Sequence, residues 1–307
     1  MKTYATALAH ALGFTLAMAV HGSAPAQEEV KLEHQHQGIT LNARLARTEG
    51  WARGPVVLVV HGTFAHNQME IMATIQELLV DAELSSLAIN LGLSVDDRHG
   101  TFACETPHAH RDSDALDEIG LWLDWLKARG AERVVLLGHS RGGNQIARFV
   151  AERDTPQVAA LVLIAPSTWD AAREANSYQE RFGVPLSMRL AEARELVAAG
   201  KPGAWLEQTG FVYCAGAKVT AATFLDYYEP DERRDTPSVL PAIREPTIVF
   251  AGSEDKVNPA LEAKAAAVAD GEQVKLFVID GADHFFRDLY ADEIVEIIVE
   301  ELAGSWQ

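Results

Sequence analysis

The chain is short of cysteine and of positive charge. It contains two cysteines, Cys104 and Cys214, and none of the Cys/His spacings that are typical of a zinc site. Its 44 acidic residues outnumber its 26 basic ones, for a formal net charge of −18. A nucleic-acid-binding protein needs clustered lysine and arginine to neutralise phosphates, so this balance argues against that class of protein. The acidic surplus also disfavours polyanionic substrates and anionic membrane surfaces.

Beyond residue 20, the sequence lacks an apolar run of the roughly 20 residues that cross a bilayer. The run from Tyr4 to Val20 follows Lys2 and precedes the small residues Ala24-Pro25-Ala26. Signal peptidase reads small residues at this spacing, so we expect a signal peptide over residues 1–26, cleaved after Ala26, and a secreted or periplasmic protein. A membrane anchor is the alternative, but the run is too short and too interrupted to span, and we expect no stable membrane insertion.

An exported protein with two cysteines can hold one disulfide. Cys104 lies in a polar loop and Cys214 in a segment rich in aromatic residues, which makes each the natural partner of the other. The sequence does not show that they are close in space, so a disulfide and two separate thiols both stay open.

Short apolar runs alternate with helical periodicities along most of the chain. Continuous β-branched runs predict strands that are covered on both faces, at residues 55–60, 84–91, 133–137, 158–165, 247–251 and 274–279. Apolar residues at three- and four-residue spacings predict helices at 69–81, 113–129, 144–152, 259–269 and 289–302. This order predicts an α/β fold with a mostly parallel, doubly wound sheet. Two alternating segments, 30–36 and 39–47, predict an antiparallel hairpin at its N-terminal edge.

Residues 167–241 break this rhythm. The segment contains helical pieces, proline and glycine breaks and many aromatic residues, but no clear buried strand. We therefore predict a helical cap at 167–241, inserted into a core made of 27–166 and 242–307. Such a cap would cover the carboxyl edge of the sheet, where doubly wound folds bind ligands. The aromatic residues either line an acyl or aryl pocket or form the core of the cap.

The sequence Gly138-His139-Ser140-Arg141-Gly142-Gly143 lies between a predicted strand and a predicted helix. It matches G-x-S-x-G, in which the serine occupies a strained turn that only small neighbours allow. The helix that follows directs its N-terminal amides at the site. Ser140 is therefore the predicted nucleophile. A purely structural turn is the alternative.

A second glycine-containing turn, His61-Gly62-Thr63-Phe64, follows the strand at 55–60. Together with the residue after the nucleophile, such a turn supplies the backbone N–H groups of an oxyanion hole. The predicted donors are Thr63 and Arg141, with Phe64 as the alternative to Thr63. His61 is expected to brace the loop rather than to act as a base.

A serine hydroxyl needs a base to accept its proton and a third group to orient that base. His284 follows the last predicted strand and is the only histidine after position 139, so it is the predicted base. Asp255 follows the strand at 247–251 and is the predicted acid, with Glu254 and Asp283 as rivals. The order serine, aspartate, histidine is one that this type of site uses.

Taken together, the segments HGTF, GHSRGG, GSEDKVNP and GADHFF resemble those of the α/β-hydrolase superfamily, in its carboxylesterase and acyl-hydrolase branches. The resemblance covers residues 38–302. It implies an α/β-hydrolase fold, an acyl-enzyme mechanism on a small-molecule ester, and neither a metal nor another cofactor. Phe64, His139 and Phe285, which adjoin these motifs, are predicted to contact the substrate.

Several alternatives stay open at this point. The same triad can cleave amide, thioester or carbon–carbon bonds, and a catalytically silent binding protein can share the fold. The sequence does not decide the oligomeric state. The Arg141 side chain either recognises a carboxylate or other polar acyl group through its forked donors or turns outward.

Other histidines lie away from these motifs. The polar loop 94–111 contains His99, His108 and His110. We predict a solvated loop near the mouth of the site, and a metal or substrate site is the alternative. His34 and His36 are predicted to face solvent on the edge strand.

Overall fold

The computed structural model describes residues 27–49, 51 and 54–303. The predicted signal peptide at 1–26 lies outside the described residues and stays a prediction. Within the described ranges, no helix has both the length and the apolar character that crossing a membrane requires.

The described residues contain ten strands, of which eight form one sheet in the order β1-β2-β4-β3-β5-β6-β9-β10. Neighbours from β4 to β10 run parallel, whereas β1 pairs antiparallel with β2 and β2 antiparallel with β4. The predicted mostly parallel sheet with an antiparallel N-terminal edge is confirmed. The strands are β1 (Gln27–His34), β2 (Ile39–Ala46), β3 (Val56–Val60), β4 (Ser86–Asn90), β5 (Val134–His139), β6 (Val158–Ile164), β7 (Trp205–Phe211), β8 (Cys214–Thr220), β9 (Thr247–Gly252) and β10 (Val274–Ile279).

Nine α-helices of the described residues flank or cover this sheet. Helix α1 packs against α9, and α2 packs against α3. They are α1 (Glu70–Asp81), α2 (Asp114–Lys127), α3 (Arg141–Glu152), α4 (Ala171–Phe182), α5 (Leu186–Ala198), α6 (Ala221–Tyr228), α7 (Thr236–Val239), α8 (Leu261–Ala266) and α9 (Leu289–Ala303).

Branched aliphatic side chains fill the centre of the sheet. Every residue of β3 is at most 1% exposed, and so is every apolar residue of the neighbouring strand β5. Branched side chains pack well on a pleated surface, and full burial of one stabilises the fold by about 1.5–3 kcal/mol. The loops after β5 and β9 therefore begin at fully buried strands, whereas the edge strand β10 is partly exposed.

The segment that connects β6 to β9, residues 165–246, is called the insertion here. It contains the helices α4 to α7, in line with the helical pieces predicted from the sequence, but also the antiparallel hairpin β7–β8. Sequence reasoning missed this hairpin. It has one exposed face, where Trp205 is 40% exposed, and its register is irregular on both sides of Thr209, so neither a continuous apolar run nor a clean alternation marks it.

A disulfide joins Cys104 to Cys214 with a Cα–Cα distance of 5.3 Å, so the two cysteines are paired and are not separate thiols. The polar loop 94–111, which contains Cys104, also pairs with strand β8 of the hairpin through backbone hydrogen bonds. The N–H of His108 donates to Lys218 O at 2.8 Å, and the N–H of Thr220 donates to His108 O at 3.0 Å. The polar loop is therefore attached to the insertion both covalently and by backbone hydrogen bonds.

Candidate active site

Ser140 occupies the turn between strand β5 and helix α3. Its backbone has φ 55° and ψ −123°, in the left-handed region that a residue with a side chain rarely adopts. The turn is held by the N–H of Ser140, which donates to Ile164 O at 2.9 Å. The strain raises the Ser140 side chain above the end of the sheet, as the G-x-S-x-G pattern predicts.

Two glycines make the turn possible. A Cβ on Gly138 would lie 2.6 Å from Gly142 O, and a Cβ on Gly142 would overlap the carbonyl oxygens of Val60 and His61. At both positions the added Cβ would lie well inside the van der Waals distance of backbone oxygen atoms, and these backbone segments cannot move aside. The close passage of β3, β5 and α3 therefore requires glycine at both positions.

The structure brings His284 and Asp255 to Ser140. His284 Nε2 lies 3.0 Å from Ser140 Oγ and accepts its hydroxyl, while Nδ1 lies 2.8 Å from Asp255 Oδ2 and donates to it. All three residues are at most 9% exposed. They reach one point because the loops that carry them leave the carboxyl ends of three parallel strands on the same edge of the sheet.

Asp255 is held as an ionised acceptor. Its Oδ1 accepts the backbone N–H groups of Val257 at 2.7 Å and Asn258 at 2.9 Å. Burial alone would raise the pKa of Asp255, but the hydrogen bonds from His284 and from these N–H groups outweigh it and hold that pKa below its ordinary value.

The two rival acids lie elsewhere. The Glu254 side chain is exposed, and Asp283 accepts the N–H of Phe285 at 2.8 Å within its own loop. Of the three carboxylates weighed from the sequence, only Asp255 therefore contacts the imidazole of His284.

The loop with the predicted oxyanion donors passes beside the nucleophile. A Cβ on Gly62 would come within 3.2 Å of Ser140 Cβ. In the part of the chain that the structure describes, the backbone N–H groups of Thr63 and Arg141 donate to no other residue, and both residues line the cavity with Ser140. The two are also tied together, because Arg141 Nε donates to Thr63 Oγ1 at 3.0 Å. Phe64, the alternative to Thr63, does not line the cavity.

A buried arginine that sequence reasoning missed supports this loop from below. Arg98 donates to Leu91 O at 2.7 Å and to Ala65 O at 2.9 Å, and its NH2 lies 3.1 Å from His61 Nε2. His61 Nδ1 donates to Gly62 O at 2.8 Å, which leaves Nε2 as an acceptor. Burial, reinforced by the charge of Arg98, lowers the pKa of His61 to about 3. His61 is thus a neutral brace of the loop, as expected.

The three residues predicted to contact substrate do not line the cavity. Phe64 is 2% exposed and lies among other aromatic rings, 5.5 Å from the ring of Phe102. His139 is equally buried, donates from Nε2 to His284 O at 2.8 Å, and has a pKa lowered by burial to about 4. Phe285 packs against the rings of His139 and His284. These side chains pack against the loops of the site, and their predicted substrate contacts stay a prediction.

A cavity of about 280 Å³ opens above Ser140, between the sheet and the insertion. The insertion supplies most of its lining. Five aromatic residues of the insertion line it, Trp169, Tyr178, Phe182, Tyr227 and Tyr228, while Phe211 is fully buried. Tyr178, Tyr227 and Tyr228 also belong to the buried core under the insertion, so the same rings line the cavity and pack that core.

The Arg141 side chain does not turn outward. Its NH1 donates to Asp112 Oδ1 at 3.1 Å, and its guanidinium lies 5.0 Å from the centre of the Tyr227 ring. Asp112 is buried and also accepts from Arg148 NH1 at 3.0 Å. Burial would lower the pKa of Arg141, but Asp112 more than offsets this effect and raises it. Asp112, which the sequence does not mark, therefore anchors the residue next to the nucleophile.

The prediction of a solvated loop is wrong for two of its histidines. His108 and His110 are 0% exposed and pack against Phe64 and Phe211, and burial lowers their pKa values to about 4 and about 3. The disulfide and the added backbone pairing draw the loop into the aromatic core. His99 is half exposed, with Nε2 3.5 Å from Asp97 Oδ1.

The edge-strand histidines also differ from each other. His36 is exposed, as predicted, but His34 is only 3% exposed, so its predicted solvent position is wrong.

Comparison with known proteins agrees with this geometry. Residues 42–297 match the model of the Alpha/beta hydrolase family. A non-heme haloperoxidase from Rhodococcus erythropolis is 25% identical over 186 residues, which are 54% of this chain and 66% of the haloperoxidase, just under two thirds of that relative.

Two solved structures share the fold at low identity. Est1E from Butyrivibrio proteoclasticus with ferulic acid bound is 19% identical, with a TM-score of 0.60 over 87% of this chain and 97% of that one. A monoacylglycerol lipase from Paleococcus ferrophilus is 19% identical, with a TM-score of 0.58 over 86% and 99%. The family match over most of its length shows that this chain belongs to the alpha/beta hydrolase family.

Proposed function

We propose that this protein is a serine hydrolase that cleaves carboxylic esters through an acyl-enzyme on Ser140. The observation that carries the proposal is the unbroken hydrogen-bond chain from Ser140 Oγ through His284 to Asp255. This alignment lets the imidazole accept the hydroxyl proton while the oxygen attacks a carbonyl carbon.

The reaction follows from these positions. As Ser140 Oγ bonds to the carbonyl carbon, its proton passes to His284 Nε2, and Asp255 stabilises the imidazolium through Nδ1–H. The N–H groups of Thr63 and Arg141 hold the oxyanion, and the loss of one such donor typically costs about 100- to 1,000-fold in turnover. The intermediate collapses, the alcohol leaves with the proton from His284, and water then releases the acid by the same steps in reverse.

The names of structural relatives support the choice of ester over other bonds. One is a monoacylglycerol lipase, and Est1E holds ferulic acid, a carboxylic acid, in its structure. The chemistry above uses only protein groups and water.

We also propose that the protein is exported after cleavage behind Ala26. The apolar run before Ala24-Pro25-Ala26 supports this proposal, and so does the Cys104–Cys214 disulfide, because disulfides persist in oxidising compartments. Expression of the full chain with its first 26 residues, followed by mass analysis of the exported protein, tests it. A mature chain that begins at Gln27 is expected, and retention of residue 1 would overturn it.

Labelling with a fluorophosphonate tests the proposed nucleophile. An adduct is expected on the peptide that contains Ser140, and it should be absent in Ser140→Ala and in His284→Ala. Ser238→Ala, an exposed serine of the insertion, is the matched control and should label normally. Matched ester, thioester and amide substrates then identify the bond. Ser140→Ala should lower ester turnover by about 10,000- to 1,000,000-fold, and faster cleavage of the amide or thioester would reject the ester proposal.

A further inference from the structure

The cavity above Ser140 reverses the charge balance of the chain. Acidic residues outnumber basic ones by 44 to 26 in the sequence, but the lining of the cavity contains four arginines and two carboxylates. The arginines are Arg141, Arg173, Arg181 and Arg234. An acidic protein that concentrates arginine around its nucleophile creates a local field opposite in sign to its net charge.

Two of these arginines have no carboxylate partner among the described residues. Arg173 NH2 donates to Val257 O at 2.9 Å, and Arg181 NH1 donates to Val212 O. A backbone carbonyl orients a guanidinium but does not neutralise its charge. Both side chains therefore keep a full positive charge and further N–H donors at the cavity.

Arg234 is the buried member of the group, at 8% exposure. Its NH2 donates to Asp226 O, again a backbone carbonyl. Its NH1 has no hydrogen-bond partner among the described residues, and the nearest carboxylate oxygen, on Glu174, lies 3.9 Å away. A buried guanidinium nitrogen without an acceptor is costly, and an anion in the cavity would supply the missing acceptor.

The two carboxylates of the lining are committed to other partners. Asp170 caps helix α4 by accepting the N–H of Arg173 at 2.8 Å. Glu174 accepts from Trp169 Nε1, and burial raises its pKa, which weakens it as a counter-charge. The positive charge of the cavity is therefore only partly compensated.

Two other arginines of the insertion are paired with carboxylates. Arg189 pairs with Glu192 at 2.8 Å, and Arg194 forms a two-pronged pair with Glu229 at 2.6 Å. Carboxylates therefore do pair with arginines of the insertion, whereas the side chains of Arg173 and Arg181 at the cavity donate only to backbone carbonyls among the described residues.

The geometry points to a substrate that carries a carboxylate at a distance from its ester bond. This inference rests on the proposed function and names the substrate class of that site. The ester carbonyl lies at Ser140, while the carboxylate accepts hydrogen bonds from the arginines across the cavity, where the forked guanidinium matches a carboxylate in two-pronged geometry. The carboxylate belongs either to the acyl part or to the alcohol part of the ester.

Two isosteric pairs of esters test the inference and separate these two sources. Monoethyl adipate, with the charge on the acyl side, is compared with ethyl 6-methylheptanoate. 4-Acetoxybutanoate, with the charge on the alcohol side, is compared with 4-methylpentyl acetate. We expect one anionic ester to exceed its neutral partner by about 10-fold in kcat/KM at low ionic strength, and the preference to shrink in high salt because screening weakens charge attraction.

The arginines are then removed in the double variant Arg173→Gln/Arg181→Gln, whose exposed side chains can be replaced with little risk to folding. The preference should fall toward one, chiefly through a higher KM for the anionic ester. Arg194→Gln, which removes an arginine of the insertion outside the cavity lining, should keep it. A ratio of one or less in both pairs, or an unchanged ratio in the double variant, would overturn the inference.

Calorimetric titration with adipate separates this inference from the proposed function, because it needs no turnover. Adipate should bind the wild type and bind the double variant about 10-fold more weakly, whereas 1,6-hexanediol should bind neither. If Ser140-dependent cleavage of neutral esters occurs without adipate binding or anionic preference, the inference fails and the function stands. If adipate binds through the arginines but no ester is cleaved, the ester proposal fails and the anion site stands.

Discussion

The sheet and the insertion differ in what holds them together. Valine, leucine and isoleucine fill the sheet, whereas rings dominate the smaller core under the insertion, including Tyr178, Phe211, Phe224, Tyr227 and Tyr228. The loops with Ser140, Asp255 and His284 leave the sheet, but most of the cavity lining belongs to the insertion. Two separately packed cores therefore support the proposed chemistry and the proposed substrate selection, and each can be perturbed by itself.

The two cores also bury titratable groups of opposite type. Glu118 lies at 2% exposure against the sheet, and burial raises its pKa to about 8. His110 lies at 0% exposure in the aromatic core, with a pKa lowered to about 3. Because one group is buried as a neutral acid and the other as a neutral base, the two cores should respond to pH in opposite directions.

The largest expected effect lies on the sheet side. Asp255→Asn should lower kcat by about 10,000-fold, because an amide no longer holds the imidazole in the tautomer that accepts the serine proton. Steady-state kinetics on an activated ester measures it. Glu254→Gln, one residue away and exposed, should stay within about two-fold of the wild type, and an equal loss in both variants would reassign the acid.

The next effect should be confined to the insertion. The double variant Cys104→Ser/Cys214→Ser should weaken local stability by about 2–5 kcal/mol, because the bridge closes a long loop between residues 110 apart in sequence. Hydrogen exchange measured by mass spectrometry should show lost protection in β7 and β8 and unchanged protection in β5. Equal loss in all three strands would mean that the two cores unfold as one unit.

The pH response of the sheet side comes third. Glu118 keeps its proton in the folded protein up to about pH 8 but loses it near pH 4.5 when unfolded, so its contribution to stability should fall as pH rises through this window, by up to about 1.4 kcal/mol per unit. Glu118→Gln can still accept the N–H of Gly92, as Glu118 Oε2 does at 2.8 Å, and should remove this contribution, so that the stability difference between wild type and variant changes with pH. Urea unfolding from pH 5 to pH 8 measures it, and parallel curves for the two proteins would contradict the assignment.

The smallest effect is the opposite slope from the aromatic core. His110 gains its proton near pH 6.5 when unfolded but resists it when folded, so its contribution to stability should fall as pH drops below 6.5. His110→Leu places an apolar side chain in this core and should make the decline between pH 6.5 and pH 4 shallower without removing it, because the buried His61 and His108 still resist protonation. Thermal unfolding across that range is the measurement, and His36→Leu, at an exposed position, is the control.

The fold was predictable because its signals are local. The apolar run that predicts β3 and the spacing that predicts α2 each lie within the element itself, and the glycines around Ser140 lie within the turn that they allow. The same holds for the site residues that follow strand ends, since the topology carries Asp255 and His284 to the edge where Ser140 lies.

The remaining features depend on partners far away in sequence. Arg98 lies in the polar loop and Asp112 directly after it, where solvent exposure of a charged residue is the ordinary expectation. Only the folded chain surrounds Arg98 with carbonyl oxygens and Asp112 with guanidinium groups. His108 and His110 are buried for the same reason. Their loop is attached to β8, a strand whose irregular register hides it in the sequence.

The backbone at Ser140 also has an evolutionary consequence. At φ 55°, a side chain branched at Cβ is strongly disfavoured, whereas a residue with a single heavy atom on Cβ is tolerated at a cost. Substitution by cysteine or aspartate preserves the turn and offers a different nucleophile, but threonine adds a methyl group where the turn is tightest. The paths by which this scaffold can acquire new chemistry at its centre are thus limited by backbone geometry before any substrate is considered.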